Sequence, residues 1–300
     1  TSVSIPVTVT AIADHLFRGC SSLTEANLGK AVTHIGSNAF NGCKKLKDLV
    51  IPKTLTHLGA GAFASCESLQ EVTIPASLTA ARAIYTSPTS LEGASLSPFF
   101  GCSGLSKVTI GVPSITTSFT DWIHNESLNT TSIKEIIFTE GVTAIGGDSF
   151  ADCASLTSVT FPNSLTHLGG NAFRNCSGLT EVEIPKGIKS IAGNTFEGCV
   201  NLTAIKVSAE NAVYSSEEGL LFNRPGTTLM QYPEGKSGAC VVPEGVTSIN
   251  SSAFRRCAGL TSVTLPEGIT SIGSYAFSEC TGLTSITIAE SVTSIGSYAF

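Results

Sequence analysis

The residues best suited to chemistry in this chain are its cysteines, which recur at a fixed interval. Nine of the ten hold the same place in a repeating pattern, often 23 residues apart: Cys20, Cys43, Cys66, Cys102, Cys153, Cys176, Cys199, Cys257 and Cys280. Stacked repeats would bring neighbouring cysteines to roughly 5 Å, close enough for disulfides. The unbroken runs hold three cysteines each, which cannot pair completely, and no C-x-x-C spacing favours zinc. We therefore predict buried free thiols, with disulfides as the alternative, and no metal or cofactor.

Histidines form a second column that could bind a metal or activate a nucleophile. His34, His57 and His167 occupy one position of the pattern, where other copies carry serine, so we expect this position to face solvent. His34 and His57 lie one copy apart, which leaves a two-histidine surface metal site as the minor alternative. The cysteines should face inward, away from the histidines, so we expect no Cys-His or Ser-His-Asp arrangement. With no phosphate loop either, the sequence predicts a protein that is not an enzyme.

The elements that position these columns are copies of a 23-residue unit, clearest in LTSVTLPEGITSIGSYAFSECTG at residues 260–282. Apolar residues at positions one, four and six, with polar residues between them, predict a short strand that a frequent proline at position seven ends. The TSIG segment predicts a second, very short strand, and the Ala-Phe segment a turn or 3₁₀ stretch. One unit cannot bury its apolar stripe alone, so stacked copies must form a continuous parallel sheet and core.

Three inserts interrupt the predicted stack. We predict a single solenoid of about twelve units over residues 1–300, with inserts near residues 80–98, 119–132 and 208–236. The third insert predicts two strands, at 220–222 and 228–232, around a turn. It could be a hairpin that covers a seam, or the inserts could contact a partner through Trp122, Tyr214, Arg224 and Tyr232. The chain starts without methionine or a leader and ends within a unit, so we expect a fragment of a longer protein.

The unit resembles the leucine-rich repeats of the BspA-like family. The resemblance rests on L-x-x-[VI]-x-[IL]-P-x-x-[VI]-T-x-I-G-x-x-A-F-x-x-C, which is almost unbroken from Leu156, Leu179, Leu260 and Leu283. Similarity to this family implies a leucine-rich-repeat solenoid that is right-handed and curved, of the α/β-horseshoe class but mostly β. It also implies a bacterial cell-surface protein with a role in adhesion. Function depends on particular sites rather than on the scaffold, so the resemblance predicts the fold more sharply than the function.

The most informative surface position is position three of the strand, which should lie on the exposed, concave side of the main sheet. The candidate partner-binding residues are this column together with one residue at position five: Glu25, Asp48, Glu71, Lys107, Glu135, Glu181 and Glu183. We expect the face to be acidic over its N-terminal part and lined by serine and threonine beyond. Adjacent like charges repel, so the column is either a solvated face that aids solubility or a surface that docks a basic segment.

Composition excludes two classes of function. The net charge is −6 and the 17 lysines and arginines are scattered, which disfavours nucleic acid. No apolar run approaches the length of a membrane span. We therefore predict a monomeric, extracellular or cell-surface binding module that recognises a protein or glycan through the concave sheet and the inserts. The alternative is a structural spacer with no ligand of its own.

Overall fold

The computed structural model describes residues 1–78, 97–115 and 132–300. These residues form two compact units, Thr1–Phe150 and Ala151–Phe300. Apart from their ends, the inserts predicted near residues 80–98 and 119–132 lie outside the described residues, as does the candidate contact residue Trp122.

The first unit repeats a longer strand followed by a strand of two residues. The longer strands are β1 (Ser2–Ser4), β3 (Glu25–Asn27), β5 (Asp48–Val50), β7 (Glu71–Ile74), β8 (Lys107–Ile110) and β10 (Glu135–Phe138). The short strands are β2 (Ala11–Ile12), β4 (His34–Ile35), β6 (His57–Leu58), β9 (Ser114–Ile115) and β11 (Ala144–Ile145). All pairings in this unit are parallel, and Glu25 faces Asp48 with an offset of one 23-residue copy.

The second unit repeats the same pair of strands and adds a hairpin. The repeat strands are β12 (Ser158–Thr160), β13 (His167–Leu168), β14 (Glu181–Ile184), β15 (Ser190–Ile191), β16 (Ala204–Val207), β20 (Gly238–Val241), β21 (Ser248–Ile249), β22 (Leu260–Thr264), β23 (Ser271–Ile272), β24 (Ser285–Ile286) and β25 (Ser294–Ile295). The third insert contributes β17 (Tyr214–Glu217), β18 (Leu220–Asn223) and β19 (Thr228–Gln231). Its strands pair antiparallel, which confirms the predicted hairpin, and β19 then joins β21 in parallel.

The core of each unit is built from the predicted columns. In the unit that starts at Leu179, the residues at positions one, four and six are all buried, and so is Phe196. The phenylalanines of neighbouring coils stack, with ring centroids 5.2 Å apart between Phe40 and Phe63 and 4.7 Å apart between Phe254 and Phe277. Stacked aromatic rings add roughly 0.5–1.5 kcal/mol per pair beyond their area burial, so this column ties one coil to the next.

The turn that carries the phenylalanine depends on two residues with left-handed backbone. Asn38 has φ 55° and Gly42 has φ 77°, and the same two places of most other described coils also have positive φ. Asparagine and glycine tolerate this region, which explains their frequency there. Glycine is required after the short strand for a different reason. A Cβ on Gly59 would lie 2.4 Å from the backbone nitrogen of Ser37. That glycine allows close approach of neighbouring coils rather than a tight corner.

Candidate binding surface

Three carboxylates lie side by side on the exposed face of the first unit. Glu25, Asp48 and Glu71 begin strands β3, β5 and β7, and all three are exposed while the next residue of each strand points into the core. Within the described residues none of the three makes an ion pair or accepts a hydrogen bond. We call these three residues the acidic row. The three acids are therefore exposed at position three, as the sequence predicts.

The rest of the predicted acidic column is neutralised by lysines. Lys107 Nζ lies 3.2 Å from Glu135 Oε2, and Lys206 Nζ lies 2.6 Å from Glu181 Oε2. Lys206 sits at position five, beside Glu183 in the register of β14 and β16. Our sequence analysis missed it because we considered glutamate, threonine and apolar residues at that position. A search for lysine at position five of the coil that follows each acid would have found the Glu181–Lys206 pair.

Two grooves cross the exposed strand face beside the acidic row. The first has a volume of about 640 Å³ and is lined chiefly by charged residues, namely Lys47, Asp48, Glu71, Lys107, Lys134 and Glu135. The second has a volume of about 970 Å³, lies towards the ends of the strands, and includes Pro52, Thr73 and Pro75. Both grooves share Val50, whose side chain is 74% exposed. Lys47 and Lys134 stand at position two, a column that the sequence analysis did not consider.

The insert residues differ in their access to solvent. Tyr214 and Tyr232 are only 7% and 2% exposed, because Tyr214 receives a hydrogen bond from the Ile191 N–H and Tyr232 stacks on Phe254. Their side chains pack inside the second unit, so we leave both out of the candidate surface. Arg224 is exposed and its Nη2 donates to the carbonyl of Ala209 at 3.1 Å.

The histidine column faces solvent, as predicted. The rings of His34 and His57 stack with centroids 4.2 Å apart and planes within 9°. Each Nδ1 lies within hydrogen-bonding distance of the hydroxyl of the preceding threonine, at 2.7 Å for His34 and 3.0 Å for His57. A ring nitrogen's lone pair lies in the plane of its ring, so nitrogens of these two parallel rings do not point at one common ion. This geometry argues against a shared metal ion.

The cysteine column is a set of buried thiols with a structural role. All ten cysteines are thiols and nine are buried; Cys20 is the exception, because it lies in the first coil and has a neighbour on one side only. Five thiols donate from Sγ to the carbonyl of the phenylalanine one coil earlier, namely Cys43, Cys66, Cys102, Cys199 and Cys280. The distance is 3.4 Å from Cys66 to Phe40 and 2.8 Å from Cys280 to Phe254. Burial raises the pKa of Cys43 to about 11 and that of Cys199 to about 12. These thiols are protonated at neutral pH and are therefore poor nucleophiles.

Two further features bear on the class of protein. Over residues 1–78, 97–115 and 132–300, no three histidine, cysteine or acidic side chains come together in a way that could hold a metal ion. The same residues contain no helix long and apolar enough to cross a membrane.

Comparison with known proteins agrees with this architecture. A family model described as BspA type leucine rich repeat region (6 copies) matches residues 1–117, 121–223 and 236–300. The crystal structure of a leucine rich cell surface protein from Faecalibacterium prausnitzii is 26% identical, with a TM-score of 0.55, over 97% of this chain and 70% of that one. That of a leucine-rich repeat protein from Bacteroides ovatus is 24% identical, with a TM-score of 0.54, over 100% of this chain and 72% of that one. A search of curated proteins found no match. The chain is a leucine-rich-repeat solenoid and belongs to the BspA-type leucine-rich-repeat family.

Proposed function

We propose that this protein is a non-enzymatic binding module of the cell surface, and that the exposed strand face of its first unit docks a basic segment of a protein partner. The observation that carries the proposal is the acidic row, Glu25, Asp48 and Glu71, which has no cationic partner within the described residues. Glu135 and Glu181 already pair with Lys107 and Lys206, so a partner's cations should contribute most to binding at the acidic row.

Electrostatics supports a basic partner. Glu25 and Asp48 face each other in register on paired strands roughly 4.8 Å apart, Glu71 begins the next long strand, and like charges at such spacing repel one another. Lysine or arginine side chains of a partner would relieve that repulsion and would speed association through long-range attraction. Because the row is exposed, each pair should contribute modestly, on the order of 0.2–1 kcal/mol.

The grooves beside the row supply the apolar part of the contact. Val50 is 74% exposed and lies between Asp48 and the prolines of the second groove. Burying a fully exposed valine contributes up to about 1.5–3 kcal/mol, which is more than one exposed ion pair. A protein segment with basic and apolar residues two positions apart matches this combination, because alternate residues of an extended chain point to the same side.

The proposed location rests on the description of one relative. The Faecalibacterium prausnitzii relative is described as a cell surface protein. We extend this location to the present chain as part of the proposal, and we expect it to act there as a monomer. The alternative role, a spacer without a ligand, requires that the strand face bind nothing.

The test is a titration with Lys-Ser-Leu-Ser-Lys-Ser-Lys-amide carrying fluorescein on its N-terminus, called the basic peptide below, followed by fluorescence anisotropy. We expect saturable binding by the wild-type protein and at least about a tenfold loss in the variant Glu25→Gln, Asp48→Asn, Glu71→Gln. The matched control removes the same charge from three exposed turn glutamates of the second unit, Glu244→Gln, Glu267→Gln and Glu290→Gln. Equal loss in both variants would show a response to net charge alone. Absence of binding by the wild type would favour the spacer.

A further inference from the structure

Consecutive turns of the regular stack are joined by a ladder of backbone hydrogen bonds. The turn that begins at Ser252 shows it fully, because the N–H groups of Ser252, Phe254 and Arg256 donate to carbonyls of the next turn at 2.9, 2.8 and 2.9 Å. The turn at His15 makes the same three bonds to the turn that follows it. Each turn thus offers three donors on one side and three acceptors on the other.

The ladder is interrupted where the hairpin insert enters. After the turn at residues 194–198, the chain runs through β17, β18 and β19 and reaches the next coil through residues 233–236, so it makes no Ala-Phe turn of its own. The N–H groups of Asn194 and Phe196 consequently have no acceptor in the described part of the chain. On the far side, the carbonyl of Ala253 receives the Tyr232 N–H at 2.7 Å, whereas the carbonyl of Ser251 has no donor among these residues.

One side chain replaces part of the missing turn. Glu234 Oε1 accepts the N–H of Gly198 at 2.8 Å, in the place where a backbone carbonyl stands in other coils. Glu234 is 9% exposed, and its Oε2 is buried and has no hydrogen-bond partner in the described structure. Burial raises the pKa of this carboxyl. An unpartnered buried oxygen is costly and calls for an explanation, such as a donor supplied from outside the chain.

A cavity of about 330 Å³ occupies the position of the missing turn. Its walls include Asn194 and Glu197 from the turn before, Glu234 from the insert, and Ser251 and Arg255 from the turn after. We call it the ladder gap. Glu197 and Arg255 already pair at 3.3 Å, so Glu234 Oε2 is the carboxyl oxygen of the gap that lacks a partner in the described structure. The volume is at the lower end of the usual range for ligand sites, about 300–1,000 Å³.

We propose that the ladder gap binds a short peptide segment whose backbone amides replace the missing rungs. A carbonyl of the segment accepts the Asn194 N–H, and its N–H groups donate to Glu234 Oε2 and to the Ser251 carbonyl. A backbone segment fits because both walls are backbone ladder edges, one with an unused donor and the other with an unused acceptor. A small cation fits less well, because Arg255 and Arg256 both lie close to Glu234.

The test uses acetyl-Gly-Gly-Gly-amide as the probe and the full chain labelled with nitrogen-15. We expect saturable shifts of the Asn194, Phe196 and Gly198 amide signals, with no comparable change at Phe254 or Tyr275, whose N–H groups are already bonded. An ester analogue that lacks one N–H should bind about fivefold more weakly, because one hydrogen bond is lost.

The variant Glu234→Gln tests whether Oε2 accepts a hydrogen bond from the probe. Glutamine can still accept the Gly198 N–H but presents an amide N–H₂ where Oε2 stood, so the probe should bind at least about fivefold more weakly. The control Glu244→Gln changes an exposed turn residue and should bind as the wild type does. The amide spectrum itself reports whether each variant is folded. Absence of saturable shifts up to roughly 50 mM probe, or unchanged binding by the folded Glu234→Gln variant, would overturn the proposal.

Discussion

Two strand faces of this protein share one geometry and differ in charge. In the first unit, position three of strands β3, β5 and β7 carries the acidic row; in the second, the same position of β20, β22 and β24 carries Ala239, Ser262 and Ser285. Each face also presents a valine at position five, Val50 at 74% and Val241 at 70% exposure. The neutral face shows that the coil folds without acids at position three. The acidic row is therefore not needed for the stack, as the proposed binding role requires.

The largest expected effect is the salt dependence of basic-peptide binding, which should require the acidic row. Raising NaCl from about 50 to about 500 mM should weaken binding of the basic peptide to the wild type by at least about tenfold, because exposed charges are screened over a few ångströms at high salt. The variant with the acidic row neutralised should show little dependence on salt. Anisotropy titrations at four salt concentrations measure both slopes, and equal slopes would place the attraction elsewhere on the molecule.

The next largest effect on affinity should come from replacing one of the two exposed valines. Val50→Ser should weaken binding of the basic peptide about fivefold, because roughly 1 kcal/mol of apolar contact is removed at the shared wall of the two grooves. Val241→Ser makes the same change on the neutral face and should leave the affinity as it is. Isothermal titration calorimetry of the two variants checks this pair. If Val50→Ser binds like the wild type, the apolar groove takes no part in the contact.

The smallest effect concerns stability. Glu25 and Asp48 face each other in register, so replacing the acidic row with Gln, Asn and Gln should raise the free energy of unfolding by a few tenths of a kcal/mol. The change Ala239→Glu with Ser262→Glu should lower it by a similar amount, since these two positions are also in register. Urea unfolding at low salt measures the difference. A loss of stability on neutralising the row would mean that its acids hold the coil together.

Columns of the core were predictable from the sequence because each depends on a repeated local pattern. Leu179, Val182 and Ile184 alternate with polar neighbours, and one face of such a strand must be buried in any stack of coils. The exposed histidines followed by the same logic, since serine holds their place elsewhere. The second hairpin strand was also predictable from its apolar residues and the turn before it.

Features that depend on the path of the insert were not predictable in this way. We predicted Tyr232, at the end of the second insert strand, as a partner contact, but it continues the phenylalanine column and stacks on Phe254 at 5.1 Å. Nothing in the sequence singles out Glu234, whose carboxyl accepts the Gly198 N–H where a backbone carbonyl stands in other coils. Such roles follow from which hydrogen bonds a missing turn leaves open, and sequence spacing alone does not show that.

The most direct test of the account is to move the acidic row to the neutral face. Starting from the variant in which the row is neutralised, Ala239→Glu, Ser262→Asp and Ser285→Glu place three carboxylates on adjacent strands beside the exposed Val241. If three strand-mounted acids next to an exposed valine are what binds, affinity for the basic peptide should return to within about tenfold of the wild type. A folded protein that regains no binding would contradict the account.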